Sequence, residues 1–187
     1  MTTRQQWAVI AGIIAVLAGA MLVASSSLGA ELFPLKVGSK APDFEAVTMP
    51  SAGTPVRTKT IADYRGEIVL LNIWATWCEP CRIEMPSIQR LEERLGPKGL
   101  RIVAVTVDDP GMEAKIQAFV DEYNLSFEIL HDAPGAIRRQ YRTTGVPETF
   151  ILGRDGTIRR WIIGEDDWSS EANIAFLERL LAEPAPR

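Results

Sequence analysis

The seven-residue run Ile68-Val69-Leu70-Leu71-Asn72-Ile73-Trp74 is apolar except at Asn72 and rich in β-forming residues. Such a run suits a central strand covered on both faces. Directly after it, Trp77-Cys78-Glu79-Pro80-Cys81 opens a segment with helical spacing. A buried strand that feeds at once into a helix start commits the chain to an α/β fold. It also places two sulfurs where the helix begins. The first turn of a helix leaves amide N–H groups without intrahelical partners, and the helix dipole adds partial positive charge there. A thiolate at that position is stabilised, and its pKa falls below about 8.5. Pro80 fits the first turn because its missing N–H would be unpaired anyway.

The rest of the chain alternates in the same way. Asp43–Thr48 reads as a strand, and Val56–Thr58 as its hairpin partner across the turn at Gly53-Thr54-Pro55. Thr60 caps a short helical turn that ends at Gly66. The helix from Glu79 to Leu95 would bury Ile83, Ile88, Leu91 and Leu95, with a kink at Pro86. Arg101–Val107 is a second buried strand, Met112–Tyr123 an amphipathic helix, Phe127–Leu130 a short strand and Ala136–Tyr141 a short helix. Thr149–Leu152 and Ile158–Ile163 form a hairpin around Arg154-Asp155-Gly156-Thr157, and Trp168–Leu181 is a last helix. This order gives a central mixed sheet flanked by helices.

Trp7–Ala24 carries no charged side chain. As a helix its 18 residues would span about 27 Å, close to the hydrocarbon core of a bilayer. A core helix would show a polar stripe, and this one does not. Two readings remain, a retained single-pass anchor, which is preferred, and a cleaved signal sequence ending near Ser25-x-Ser27. Both carry the remainder across the cytoplasmic membrane to its extracytoplasmic, periplasmic side. The expected division is therefore residues 1–30 as anchor or signal, 31–41 as tether and 42–183 as one α/β domain.

Composition removes other classes. Two cysteines and one histidine cannot supply the four Cys/His ligands of a structural zinc site. A formal net charge of −4 offers no basic surface for nucleic acid. A structural disulfide closing only four residues would remove little chain entropy. The cysteines therefore read as a redox pair needing no other cofactor. Cys78, the more exposed, would attack, and Cys81 would resolve the mixed disulfide.

Three stretches carry a resemblance: Ala41-Pro42-Asp43-Phe44, Asn72 through Pro86, and Gly145-Val146-Pro147-Glu148-Thr149-Phe150. With them the chain resembles the membrane-anchored TlpA/ResA/CcmG-like group of thioredoxin-fold thiol–disulfide oxidoreductases over about residues 37–182. The resemblance implies a thioredoxin fold in which Met112–Leu130 is a helix–strand insert and Asp43–Thr58 an N-terminal addition. It implies that Pro147 is cis and faces the sulfurs, and that the Val146 backbone offers edge hydrogen bonds to an extended substrate. Trp77 and Pro80 would shape the docking surface, while Trp74 belongs to the core or rim. It makes Glu84, one helical turn beyond Cys81, a modulator of cysteine ionisation, with Glu79 acting similarly but more exposed. A nearby carboxylate disfavours a thiolate. Asn72 departs from ordinary thioredoxins, which carry a buried aspartate at the matching place. Proton handling at Cys81 then falls to Glu84 or water. His131 is read as structural.

The resemblance also implies a substrate class, disulfides of exported proteins such as the haem-attachment cysteines of apocytochrome c. Electrons would come from a membrane thiol–disulfide carrier. Two alternatives stand beside it. Ala-Pro-Asp-Phe also occurs in peroxiredoxin-like thiol peroxidases, but those place Thr or Ser three residues before the attacking cysteine and proline four residues earlier. Here those places hold Ala75 and Leu71. The other alternative is a non-catalytic binding or chaperone module on the same fold.

Overall fold

The computed structural model describes residues 35–49 and 55–184, with Trp7, residues 12–17 and Gly19 upstream. The apolar stretch expected to anchor the chain lies largely outside the described residues. Among those described, no helix is long and apolar enough to cross a membrane. The chain divides into two units, Met1–Leu35 and Lys36–Arg187.

The second unit carries a seven-stranded mixed sheet. Its strands in chain order are β1 (Glu45–Thr48), β2 (Thr58–Thr60), β3 (Ile68–Trp74), β4 (Leu100–Thr106), β5 (Glu128–His131), β6 (Glu148–Leu152) and β7 (Ile158–Ile163). Across the sheet they run β2-β1-β5-β4-β3-β6-β7. β3, β4 and β5 are parallel to one another, and every other pairing is antiparallel. The helices are α1 (Glu79–Leu95), α2 (Glu113–Glu122), α3 (Ala136–Gln140) and α4 (Glu171–Ala182). This is the mixed sheet flanked by helices expected from the strand–helix alternation, and the thioredoxin fold that the family resemblance implied.

Every residue of β3 and β6 is buried, as is all of β4 except Arg101. Central strands of this kind need no polar face because helices cover both sides. α1 lies against the sheet through Cys81, Glu84, Met85, Ile88, Leu91 and Leu95, a run of three- and four-residue steps. Ile83 falls off that face and is 62% exposed, so its expected place in the core is corrected. Helical periodicity puts it about 200° around the axis from Cys81. The helix continues through Pro86 to Leu95. α4 is joined to α1 by the Arg94–Glu171 ion pair and to the turn that follows α1 by Lys98–Glu178. α2 docks by Phe119, whose ring lies 4.7 Å from that of Trp74. Arg82 of α1 stacks over Phe119 and Tyr123 and pairs with Glu122 at 3.0 Å.

Several expected bounds shift, with β1 opening at Glu45 rather than Asp43 and α4 at Glu171 rather than Trp168. The hairpin partner of β1 begins at Thr58 rather than Val56, with Glu45 opposite Thr60. Residues 50–54 between them fall outside the described residues. The last strand before α3 ends on His131, which is buried within the sheet rather than in a loop. Residues 38–41, expected as tether, are fastened to the start of β7. Gly38 N–H donates to Ile158 O, Ile158 N–H to Ser39 O and Ala41 N–H to Gly156 O.

Candidate active site

The two cysteines lie where β3 hands the chain to α1. Cys78 is the N-cap of α1, and Cys81 N–H donates to Cys78 Sγ at 3.1 Å. A disulfide joins the two sulfurs. Cys78 is 4% exposed and Cys81 is fully buried, so the first residue of the pair is the less covered. Trp77 is 67% exposed, Pro80 is half-buried, and Glu79 points to solvent.

The antiparallel pairing of β3 with β6 sets Ile73 opposite Glu148. The residues just before β6 therefore arrive beside the cysteines. The Val146–Pro147 peptide bond is cis, as the family resemblance implied, and Val146 O stands 3.4 Å from Cys78 Sγ. A disulfide sulfur has no proton to donate, so this is a close contact in the oxidised form. Val146 is half-buried and Pro147 buried.

One helical turn beyond Cys81 lies a polar group inside the core. Glu84 is 1% exposed. Its Oε1 accepts from Asn72 Nδ2 at 2.7 Å and its Oε2 from Trp168 Nε1 at 3.3 Å. Burial pushes its carboxyl up to about 7, against the lowering effect of the Asn72 and Trp168 hydrogen bonds. Asn72 Nδ2 also donates to Thr149 Oγ1 at 2.9 Å. The departure at position 72 has a local reason. An aspartate there would set two carboxylates at hydrogen-bond distance, and like charges so close cannot both ionise. An amide can donate instead.

One carboxyl in this region was not singled out from the sequence. Glu148 follows the cis proline and is 1% exposed. Its Oε1 accepts from Trp161 Nε1 at 2.6 Å, and burial raises its pKa despite that bond. Its place directly after Pro147 was the available signal. His131, read as structural, presents Nε2 to Asp108 O at 2.9 Å. Among the described residues no three His, Cys, Asp or Glu side chains gather to hold a metal.

The geometry is that of a thiol pair at a helix start, closed by a cis proline. The profile of the AhpC/TSA family matches residues 37–161. The thiol–disulfide oxidoreductase ResA of Oceanobacillus iheyensis is 38% identical over 129 residues, which is 69% of this chain and 66% of that protein. ResA of Bacillus cereus is 31% identical over 78% of this chain and 84% of its own length. The chain belongs to the AhpC/TSA family, as a ResA/CcmG-like thioredoxin-fold thiol–disulfide oxidoreductase. A structure from Chlorobium tepidum, described as a thiol:disulfide interchange protein of the DsbE kind, superposes with a TM-score of 0.68. It is 28% identical and covers 79% of this chain and 99% of its own. The Cys78–Cys81 disulfide lies within the matched stretch.

Proposed function

We propose that the protein is an exported reductant of disulfides in other exported proteins, the haem-attachment cysteines of apocytochrome c being the expected substrate class. The observation that carries this reading is Cys78 Sγ at the N-terminus of α1, beside Val146 O. In the reduced enzyme the Cys78 thiolate attacks one sulfur of the substrate disulfide. The substrate's other sulfur leaves as a thiolate and takes up a proton. Cys81 then attacks Cys78 Sγ, which forms the Cys78–Cys81 disulfide and releases the second substrate sulfur. Two electrons have moved from enzyme to substrate, and a membrane thiol–disulfide carrier returns them.

The other site residues have parts in this cycle. Trp77, Pro80, Val146 and Pro147 form the surface on which an extended substrate segment lies, with the Val146 backbone as its hydrogen-bond partner. Glu84, with a pKa raised to about 7, exchanges a proton near neutrality, which Asn72 cannot do. Glu79 adds a weaker field from the exposed side. The apolar stretch Trp7–Ala24 holds the chain at the cytoplasmic membrane, with the catalytic domain on its periplasmic side.

Cys81→Ser tests the reading directly. That variant cannot resolve its mixed disulfide and is expected to retain a dithiol protein on Cys78, identifiable by mass spectrometry. The redox potential tests the direction. A value near the oxidising end, about −120 mV, would overturn the reductant assignment. The family-profile match favours one second reading, a thiol peroxidase. Ala75 and Leu71 stand where its peroxide pocket needs a hydroxyl and a proline. Peroxide consumption far faster than by a free thiol would establish it.

A further inference from the structure

Thr76 stands two residues before Cys78, in the loop between β3 and α1. Its backbone N–H donates to Asp108 Oδ2 at 2.9 Å, and its hydroxyl donates to Asp108 Oδ1 at 2.7 Å. Both oxygens of one carboxylate are thus spent on a single loop residue. Asp108 is 2% exposed and lies two residues beyond the end of β4. Thr106 Oγ1 adds a further hydrogen bond to Oδ2. The backbone that carries this carboxylate is itself held. Val107 N–H donates to Trp74 O at 2.9 Å, and His131 Nε2 meets Asp108 O at 2.9 Å. His131 Nδ1 in turn faces Glu113 Oε1 at 3.6 Å.

Asp108 makes no ion pair among the described residues. Burying a carboxylate without a cation is costly, and a neutral side chain could fasten two strand ends. A carboxylate makes hydrogen bonds roughly twice as strong as a neutral acceptor does, and here they converge on the loop that sets Cys78. That loop decides whether Cys78 Sγ stays within reach of the Cys81 N–H and beside Val146 O. A small displacement of a reacting group can cost a large factor in rate.

We propose that Asp108 is a positioning residue for Cys78, acting through Thr76 to fix the active-site loop, with His131 bracing it from behind. The proposal rests on Cys78 being the attacking sulfur. The experiment uses the full chain with Cys81→Ser as parent, so that Cys78 is the sole thiol. Alkylation by iodoacetamide is followed across pH, and reaction with a small aromatic disulfide is timed.

Thr76→Val keeps the fold and the Asp108 charge but removes the hydroxyl bond. It is expected to slow both reactions about tenfold at neutral pH and to move the alkylation profile to higher pH. Thr76→Ser is expected to restore the parental rate. Asp108→Asn combined with Thr76→Val is expected to be no slower than the slower single variant, because the two groups act as one unit. Parental rates and pH profile in Thr76→Val, or failure of Thr76→Ser to restore them, would overturn the proposal. If Asp108→Asn does not fold, the Thr76 pair decides alone. An unreactive Cys78 in the parent would instead overturn its assignment as the attacking sulfur, and the positioning role with it.

Discussion

At the scale of single residues, the decisive pair is Asn72 and Glu84. A buried carboxyl raised to about 7 is partly ionised at neutral pH, one helical turn from Cys81. Its negative form opposes a second negative charge on the sulfur. Glu84→Gln removes that opposition and is expected to lower the thiol pKa of the reduced enzyme, read from thiolate absorbance during a pH titration. An unchanged titration would separate Glu84 from the redox centre. Asn72→Asp is expected to act in the other direction. It places a second carboxyl on the 2.7 Å contact now made by an amide, so the pair holds a shared proton well above the usual carboxylate range and the thiols ionise later. The cysteine pair was legible from its place at a helix start, and Pro147 and Glu84 were singled out only through the family resemblance. Asp108 was not. Its bond to Thr76 spans 32 positions, and no local pattern encodes a contact made only when two parallel strands come into register.

At the scale of elements, α1 shows where periodicity is sufficient and where it misleads. Its bounds, Glu79–Leu95, follow from Cys78 at the cap and Gly96 at the end, and the structure reproduces them. The face it buries does not follow from apolar residues alone, since Ile83 and Ile88 are equally apolar. The buried face is fixed by Cys81, Glu84, Met85 and Ile88, two of which look unlike core residues in a sequence. Ile88→Ala is expected to cost about 2–5 kcal/mol in urea unfolding, as fully buried Ile truncations do. Ile83→Ala should stay within about 0.5 kcal/mol. Equal losses at the two positions would contradict the assigned face. Ile83 and Trp77 are both large, exposed and close to Cys78 in sequence. The start of β2 was placed two residues early because a two-residue shift along Val56-Arg57-Thr58-Lys59-Thr60 leaves every side chain on its own face.

At the scale of the whole molecule, buried carboxyls shape the stability of the oxidised domain against pH. Glu84 is raised from 4.5 to about 7, so the folded state binds a proton that the unfolded chain releases earlier. Stability is therefore highest below about 4.5 with respect to this group and falls as pH rises toward about 7. The loss reaches up to about 3 kcal/mol once both states are ionised. Glu148 and Asp132, raised chiefly by burial, add in the same sense. Asp155, held low first by the Thr157 hydroxyl, acts oppositely and only at more acid pH. Urea unfolding of the disulfide form at pH 5 and pH 8 should show greater stability at the lower value. Glu84→Gln should flatten the difference, and stability that instead rose with pH would contradict the buried carboxyl. The sequence order of strands and helices was enough to anticipate this architecture. It could not anticipate which carboxyls end up dry, because that depends on packing partners such as Trp168 and Trp161 from far along the chain.

The hydrogen bonds between residues 38–41 and the start of β7 fix where the chain enters the catalytic domain. Ile158 lies opposite Leu152, whereas Ile163 lies opposite Glu148, next to Pro147. Four residues of β6, about 14 Å of strand, separate the entry point from the cysteines. Tension on Lys36 would therefore load the domain through the Gly38 and Ser39 bonds to Ile158, at the far end of β6 from the sulfurs, rather than through the active-site loop.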